Sequence, residues 1–99
     1  MSKNRMRPVH PGEILREEYM KPLSLSSNAL ARALGITPAR INDIVLERRG
    51  VTADTALRLA RYFGGDAQSW MNLQMTYDLR QAELAAGKVI RDQVKPRAA

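Results

Sequence analysis

Residues 27–44 read SNALARALGITPARINDI, and this stretch constrains the fold more than any other. Two helical patterns lie here with only three or four residues between them. Helices joined so tightly must cross steeply and in close contact. A small side chain is needed where the backbones approach, and Ala31 supplies it. The turn needs a residue that tolerates positive φ, and Gly35 supplies that. Leu30, Leu34, Ile36, Ile41 and Ile44 are the apolar positions that lock the pair against the rest of the domain. Seven positions therefore agree on one local geometry.

Caps and periodicity place this pair second and third among five helices. The first begins at His10-Pro11-Gly12-Glu13, with proline pre-shaped for the first helical position and Glu13 near the positive dipole end. It runs through Ile14, Leu15 and Tyr19 and stops before Pro22. Ser26 caps the second helix, which ends at Gly35. Thr37-Pro38 opens the third, which continues to about Leu46 and breaks at Arg48-Arg49-Gly50. Thr52 caps a fourth with the stripe Ala56, Leu59, Ala60 and Phe63, closed by Gly64-Gly65. Asp66 caps a fifth that is expected to reach about Ala86 and to end at Gly87. No alternating strand pattern occurs, so the class is all-α. The reading divides into a basic flexible arm (1–9), a helical domain (10–64), a long fifth helix (65–86) and a basic tail (87–99).

A chain of 99 residues with 44% hydrophobic content supports one modest core. The absence of cysteine excludes a disulfide framework and a thiolate metal site and suits a reducing cytosol. No apolar run approaches the roughly 18 residues of a membrane span. The basic start lacks the hydrophobic stretch of a signal peptide, and a cytoplasmic, nucleoid-associated location is expected. His10 is the one histidine and is expected to serve structurally at the first helix start. No metal site, cofactor site or catalytic constellation is legible, so an enzyme is not expected. The net charge is +6, and its excess lies at the two ends, in Lys3, Arg5 and Arg7 and in Lys88, Arg91, Lys95 and Arg97 against Asp92, while residues 8–87 balance. Such a distribution suits a DNA backbone or an acidic protein partner.

The pattern of residues 27–44 is that of a helix-turn-helix, and it resembles the phage-repressor-like family of DNA-binding domains. In this motif the second helix lies in the major groove. At 100° per residue, Ile41, Ile44 and Val45 face the core, and Ala39, Asp43 and Leu46 point outward with Arg40 and Asn42 on the flanks. Arg40 is matched to guanine O6 and N7, Asn42 to adenine N6 and N7, and Pro38 or Ala39 to a thymine methyl. Asp43 is expected to bond Arg40 at i,i+3 and fix its guanidinium. Phosphate contacts are assigned to Ser26, Ser27 and Asn28 at the second helix start, to Thr37, and to the loop pair Arg48 and Arg49.

The fifth helix carries two apolar stripes, Trp70, Leu73, Tyr77 and Leu84 on one side and Met71, Met75, Leu79 and Ala82 on the other. One closes the core, and the other is expected to be covered by a second subunit, with Trp70, Met71, Leu73, Met75, Tyr77 and Leu79 as the dimerisation set. A dimer also sets two recognition helices about 34 Å apart on a pseudo-palindrome. His10-Pro11-Gly12-Glu13-Ile14-Leu15, Ala56-Leu57-Arg58-Leu59-Ala60, Trp70-Met71-Asn72-Leu73-Gln74 and Tyr77-Asp78-Leu79 together resemble the HigA/VapI-type antitoxins over about residues 8–82. That resemblance implies repression of an operon through its operator DNA and capture of a small basic mRNA-cleaving toxin of the HigB/RelE type. If it holds, Glu13, Glu17, Glu18 and Glu83 are the acids suited to a basic toxin. A stand-alone repressor with no toxin and an adaptor that makes only protein contacts are the alternatives.

Overall fold

The computed structural model describes residues 7–98. Among them the elements are five helical segments and no strand. Helix α1 begins as Pro11–Ile14 and continues as a π-helical stretch over Leu15–Met20. Then follow α2 (Ser27–Leu34), α3 (Pro38–Val45), α4 (Ala53–Phe63) and α5 (Ala67–Gln93). The π stretch departs from the plain helix read from sequence. Its i→i+5 bonding brings residues five apart towards one face, and Leu15 and Met20 are both buried.

The caps form where the sequence places them. The side chains of Ser26, Thr37, Thr52 and Asp66 accept from the backbone N–H groups of Ala29, Arg40, Thr55 and Ser69. His10 caps α1, its Nδ1 accepting from the Gly12 N–H at 2.8 Å. Gly35 takes φ 73°, and Ile36 N–H donates back to the Ala31 carbonyl, which ends α2 and starts the turn.

The core is shared by all five helices. Leu15, Leu30, Ala31, Ile41, Ile44, Ala56 and Leu59 are completely buried, and Trp70 contributes from α5. Tyr19 of α1 packs against Phe63 of α4 and Trp70 of α5, with ring centroids 4.8 and 5.2 Å apart. Burying such a cluster stabilises each large side chain by about 1.5–3 kcal/mol.

Two expectations are corrected here. The fifth helix does not stop at Gly87 but runs on to Gln93. A glycine in a helix interior costs only about 1 kcal/mol, whereas the bias against helix before Pro96 is stronger. The expected tail of residues 87–99 is therefore helical over its first half, and Lys88 and Asp92 form an i,i+4 pair on it. In the expected arm of residues 1–9, positions 1–6 with Lys3 and Arg5 lie outside the described residues. Arg7, by contrast, makes two bonds to the Glu13 carboxylate at 3.0 and 3.1 Å. Among the described residues no helix is long and apolar enough to cross a membrane.

Candidate nucleic-acid interface

Helix α3 is a short element held along its inner face and at its far end. Its inner face, Ile41, Ile44 and Val45, is buried as its periodicity requires. Its far end is held by α1, where the Arg16 guanidinium donates to the Val45 carbonyl oxygen. Pro38, Ala39, Asn42 and Leu46 are exposed, with Arg40 and Asp43 half-buried at the edges of that face. Thr37 Oγ1 is occupied as the α3 cap.

The partners of the two charged edge residues differ from expectation. Asp43 does not bond Arg40. It receives Arg48 at 3.0 Å and Arg49 at 3.7 Å, because Glu47 adopts φ 63° and turns the loop back over the helix. The loop also closes by backbone, with Arg48 N–H donating to the Asp43 carbonyl at 2.7 Å. Arg40 reaches the other way, to Asp54 in the first turn of α4 at 3.3 Å. Arg58, one turn along α4, holds the Asp54 carboxyl below the usual carboxylate range through a 2.9 Å hydrogen bond, with Arg40 adding to the effect. The exposed face of α3 is thus flanked by an Arg48–Arg49 loop on one side and by Arg40 on the other.

Ser26 Oγ accepts from Ala29 N–H at 3.0 Å, so the serine acts as a cap first. Beside it, Ser27 and Asn28 carry leading N–H groups of α2, which have no intrahelical acceptor. Asn28 is exposed and Ser27 half-buried.

Behind this surface, Gln74 of α5 has a role that the sequence does not announce. Its Oε1 accepts from Val51 N–H at 2.7 Å, and its Nε2 donates to Asp78 at 3.0 Å. It thereby fastens the segment after the arginine loop to the long helix. A polar residue between two apolar stripes gave no sign of that contact.

The dimerisation set divides. Trp70 is only 4% exposed and belongs to the core, since α5 packs its first turns against α1 and α4. Met71 and Leu73 pack on the same cluster, and Tyr77 meets His10 edge-on at 4.8 Å. Met75 and Leu79 remain exposed, as do Leu84, Val89 and Ile90 farther along. Of the four acids suited to a toxin, Glu13 is engaged by Arg7, Glu17 by Arg16 and Lys21, and Glu83 by Arg80. Glu18 is exposed at the rim of an open apolar groove of about 1020 Å³, bordered by Val9, Ile14, Leu73 and Tyr77.

A buried inner face, a glycine turn and a polar outer face flanked by arginines define a helix-turn-helix module. The chain belongs to the helix-turn-helix family, whose model matches residues 17–70. Virulence-associated protein I of Dichelobacter nodosus is 69% identical over 81 residues, covering 82% of this chain and 75% of that protein. The structure of Pseudomonas aeruginosa antitoxin HigA with the higBA promoter superposes with a TM-score of 0.90 at 51% identity, covering 93% of this chain and all of that one. Antitoxin GraA in complex with its operator superposes with a TM-score of 0.90 at 49% identity, covering 95% of each chain. The resemblance to HigA/VapI-type antitoxins drawn from the sequence is borne out by these likenesses.

Proposed function

We propose that this chain is the antitoxin of a type II toxin–antitoxin pair, acting in the cytoplasm, that binds operator DNA as a homodimer and represses its own operon. It also captures a small mRNA-cleaving toxin of the HigB/RelE type. One observation carries the DNA part: the outer face of α3 presents Pro38, Ala39 and Asn42 to solvent, with Arg40 and the Arg48–Arg49 loop on either side. In this arrangement Arg40 and Asn42 read base edges, and Asp43 holds the loop arginines close to the helix. Arg48, Arg49 and the leading N–H groups of α2 follow the backbone. That antitoxin HigA was solved with the higBA promoter and antitoxin GraA with its operator supports operator binding by this chain.

The homodimer is supported by the outer side of α5. Met75, Leu79, Ala82, Ala86 and Val89 follow the alternating four- and three-residue spacing of a helix-pairing seam. Met75, Leu79 and Val89 are each at least half exposed. Apolar side chains repeated along one exposed stripe favour burial against a second copy. For the toxin, Glu18 is the acid we assign to contact, since it stands beside apolar surface and the other three acids are already engaged.

Footprinting of the DNA immediately upstream of the gene, with and without the adjacent gene product, tests this reading. A protected segment whose affinity falls about a thousandfold between 50 and 200 mM salt is expected for some six neutralised phosphates. No protection under any condition would remove the DNA function. Protection that no neighbouring protein alters, with no small partner co-purifying, would leave a repressor without a toxin.

A further inference from the structure

Arg58 of α4 is anchored at two places. Its Nη1 donates to the Leu34 carbonyl oxygen in the last turn of α2 at 2.9 Å, and its Nε donates to Asp54 Oδ2 at 2.9 Å. Arg40 Nη1 donates to that same Oδ2 at 3.3 Å. One end of this chain of bonds is therefore backbone at the turn between α2 and α3, and the other is the side chain at the edge of α3. Arg58 also fills the space behind the turn, since a Cβ on Gly35 would lie 3.3 Å from its Nη1.

An acid at position 54 suits the first turn of α4, where it meets the positive helix end and pairs with Arg58, but attraction to DNA does not account for it. Exposed ion pairs contribute little to stability, and the Asp54 side chain is 59% exposed. A carboxylate at the rim of a polyanion-binding face opposes binding to any sequence. What Asp54 does supply is a fixed acceptor. An unrestrained arginine samples many rotamers and must be ordered when it reads a base, and a side chain held beforehand avoids that loss. One Arg40 N–H is spent on Asp54, and four remain for guanine O6 and N7.

We propose that Asp54 is a specificity-determining positioning residue, which holds the Arg40 guanidinium in one orientation for base reading and lowers affinity for other DNA. Arg58 is the brace that keeps Asp54 in place. The inference rests on the reading of α3 as the base-reading helix.

The test uses the full chain on three kinds of duplex: the segment protected upstream of its gene, single-base variants of it, and a scrambled duplex of equal length. Asp54→Asn keeps the size and removes the charge. Affinity for the scrambled duplex is expected to rise. Discrimination at the base pair that Arg40→Ala relaxes is expected to fall by about three- to tenfold, a fraction of a full bidentate contact. The double variant Arg40→Ala, Asp54→Asn then discriminates no worse than Arg40→Ala alone, because the two residues act as a unit. If Asp54→Asn strengthens every duplex by one common factor, Asp54 is only a local charge and the proposal is overturned. Should Asp54→Asn fail to fold, Asp54→Glu keeps the charge and displaces it, and discrimination must then fall with no gain on scrambled DNA. Failure of the underlying DNA reading is separately visible, as the absence of any segment protected by the wild-type chain.

Discussion

The backbone of Gly12 in α1 lies directly against the carbonyl of Ile44 in α3: a Cβ at Gly12 would fall 1.8 Å from that oxygen. This contact, with the Arg16 bond to Val45, makes α1 the support on which α3 rests. Gly12→Ala forces α1 away from α3 and is expected to cost about 3 kcal/mol or more. Urea unfolding measures it. A variant as stable as the wild type would show that the two helices are not held at this distance in solution.

His10 gives a pH dependence whose sign follows from its place. Burial pushes its pKa below the ordinary imidazole value, while Glu47 and Asp78 oppose that in part. Its neutral Nδ1 accepts the Gly12 N–H, and protonation removes that acceptor. The unfolded chain therefore takes up the proton first. The contribution is complete above about pH 6.5 and is lost as pH falls from there through the lowered folded value. Thermal melts of wild type and His10→Asn between pH 5 and 8 check this, and the variant is expected to lose most of that slope.

Gln74→Ala leaves the Val51 N–H without its acceptor in a partly buried position. A loss of about 1–3 kcal/mol is expected from that orphaned donor. Hydrogen exchange at Val51 reports it directly, since the amide should exchange faster in the variant than in the wild type.

Arg40→Ala and Arg48→Ala should fail differently on DNA. The first is expected to lose about 1–3 kcal/mol on the preferred duplex and to relax preference at one base position. The second is expected to weaken all duplexes alike and to flatten the salt dependence by about one unit. Titrations at several salt concentrations separate the two patterns, and identical behaviour would mean that Arg40 is a backbone contact.

Leu79→Glu places a charge in the exposed stripe of α5, where the wild-type leucine is 60% exposed in the isolated chain. The fold is expected to survive, because the position is outside the core, and the dimer is expected to dissociate. Sedimentation gives the mass of each species. A variant that sediments like the wild type would place the subunit contact elsewhere.

Much of the site was legible in the chain because it rests on short-range chemistry. Ser26, Thr37, Thr52 and Asp66 cap where they stand, since each bonds an N–H three residues on. Gly35 turns the chain because it alone in that segment takes positive φ without strain. Ile41, Ile44 and Val45 declare an inner face, which leaves Asn42 and Ala39 outside. Where two local signals competed, the weaker was misjudged: Gly87 resembles a helix stop, yet the helix continues towards Pro96.

By itself, then, the sequence determined five capped helices, the steep turn at Gly35 and the outward face of α3, because each depends on residues within a turn or two of one another. Tertiary structure alone decided that Arg40 turns to Asp54, fourteen residues away, whereas Asp43 gathers Arg48 and Arg49 through the local turn at Glu47, a positive φ that the residue type does not announce. It also sent Trp70 into the core and set Gln74 beneath the loop. Long polar side chains take whichever partner the packed helices bring within reach, and helical periodicity carries no record of which neighbour that will be.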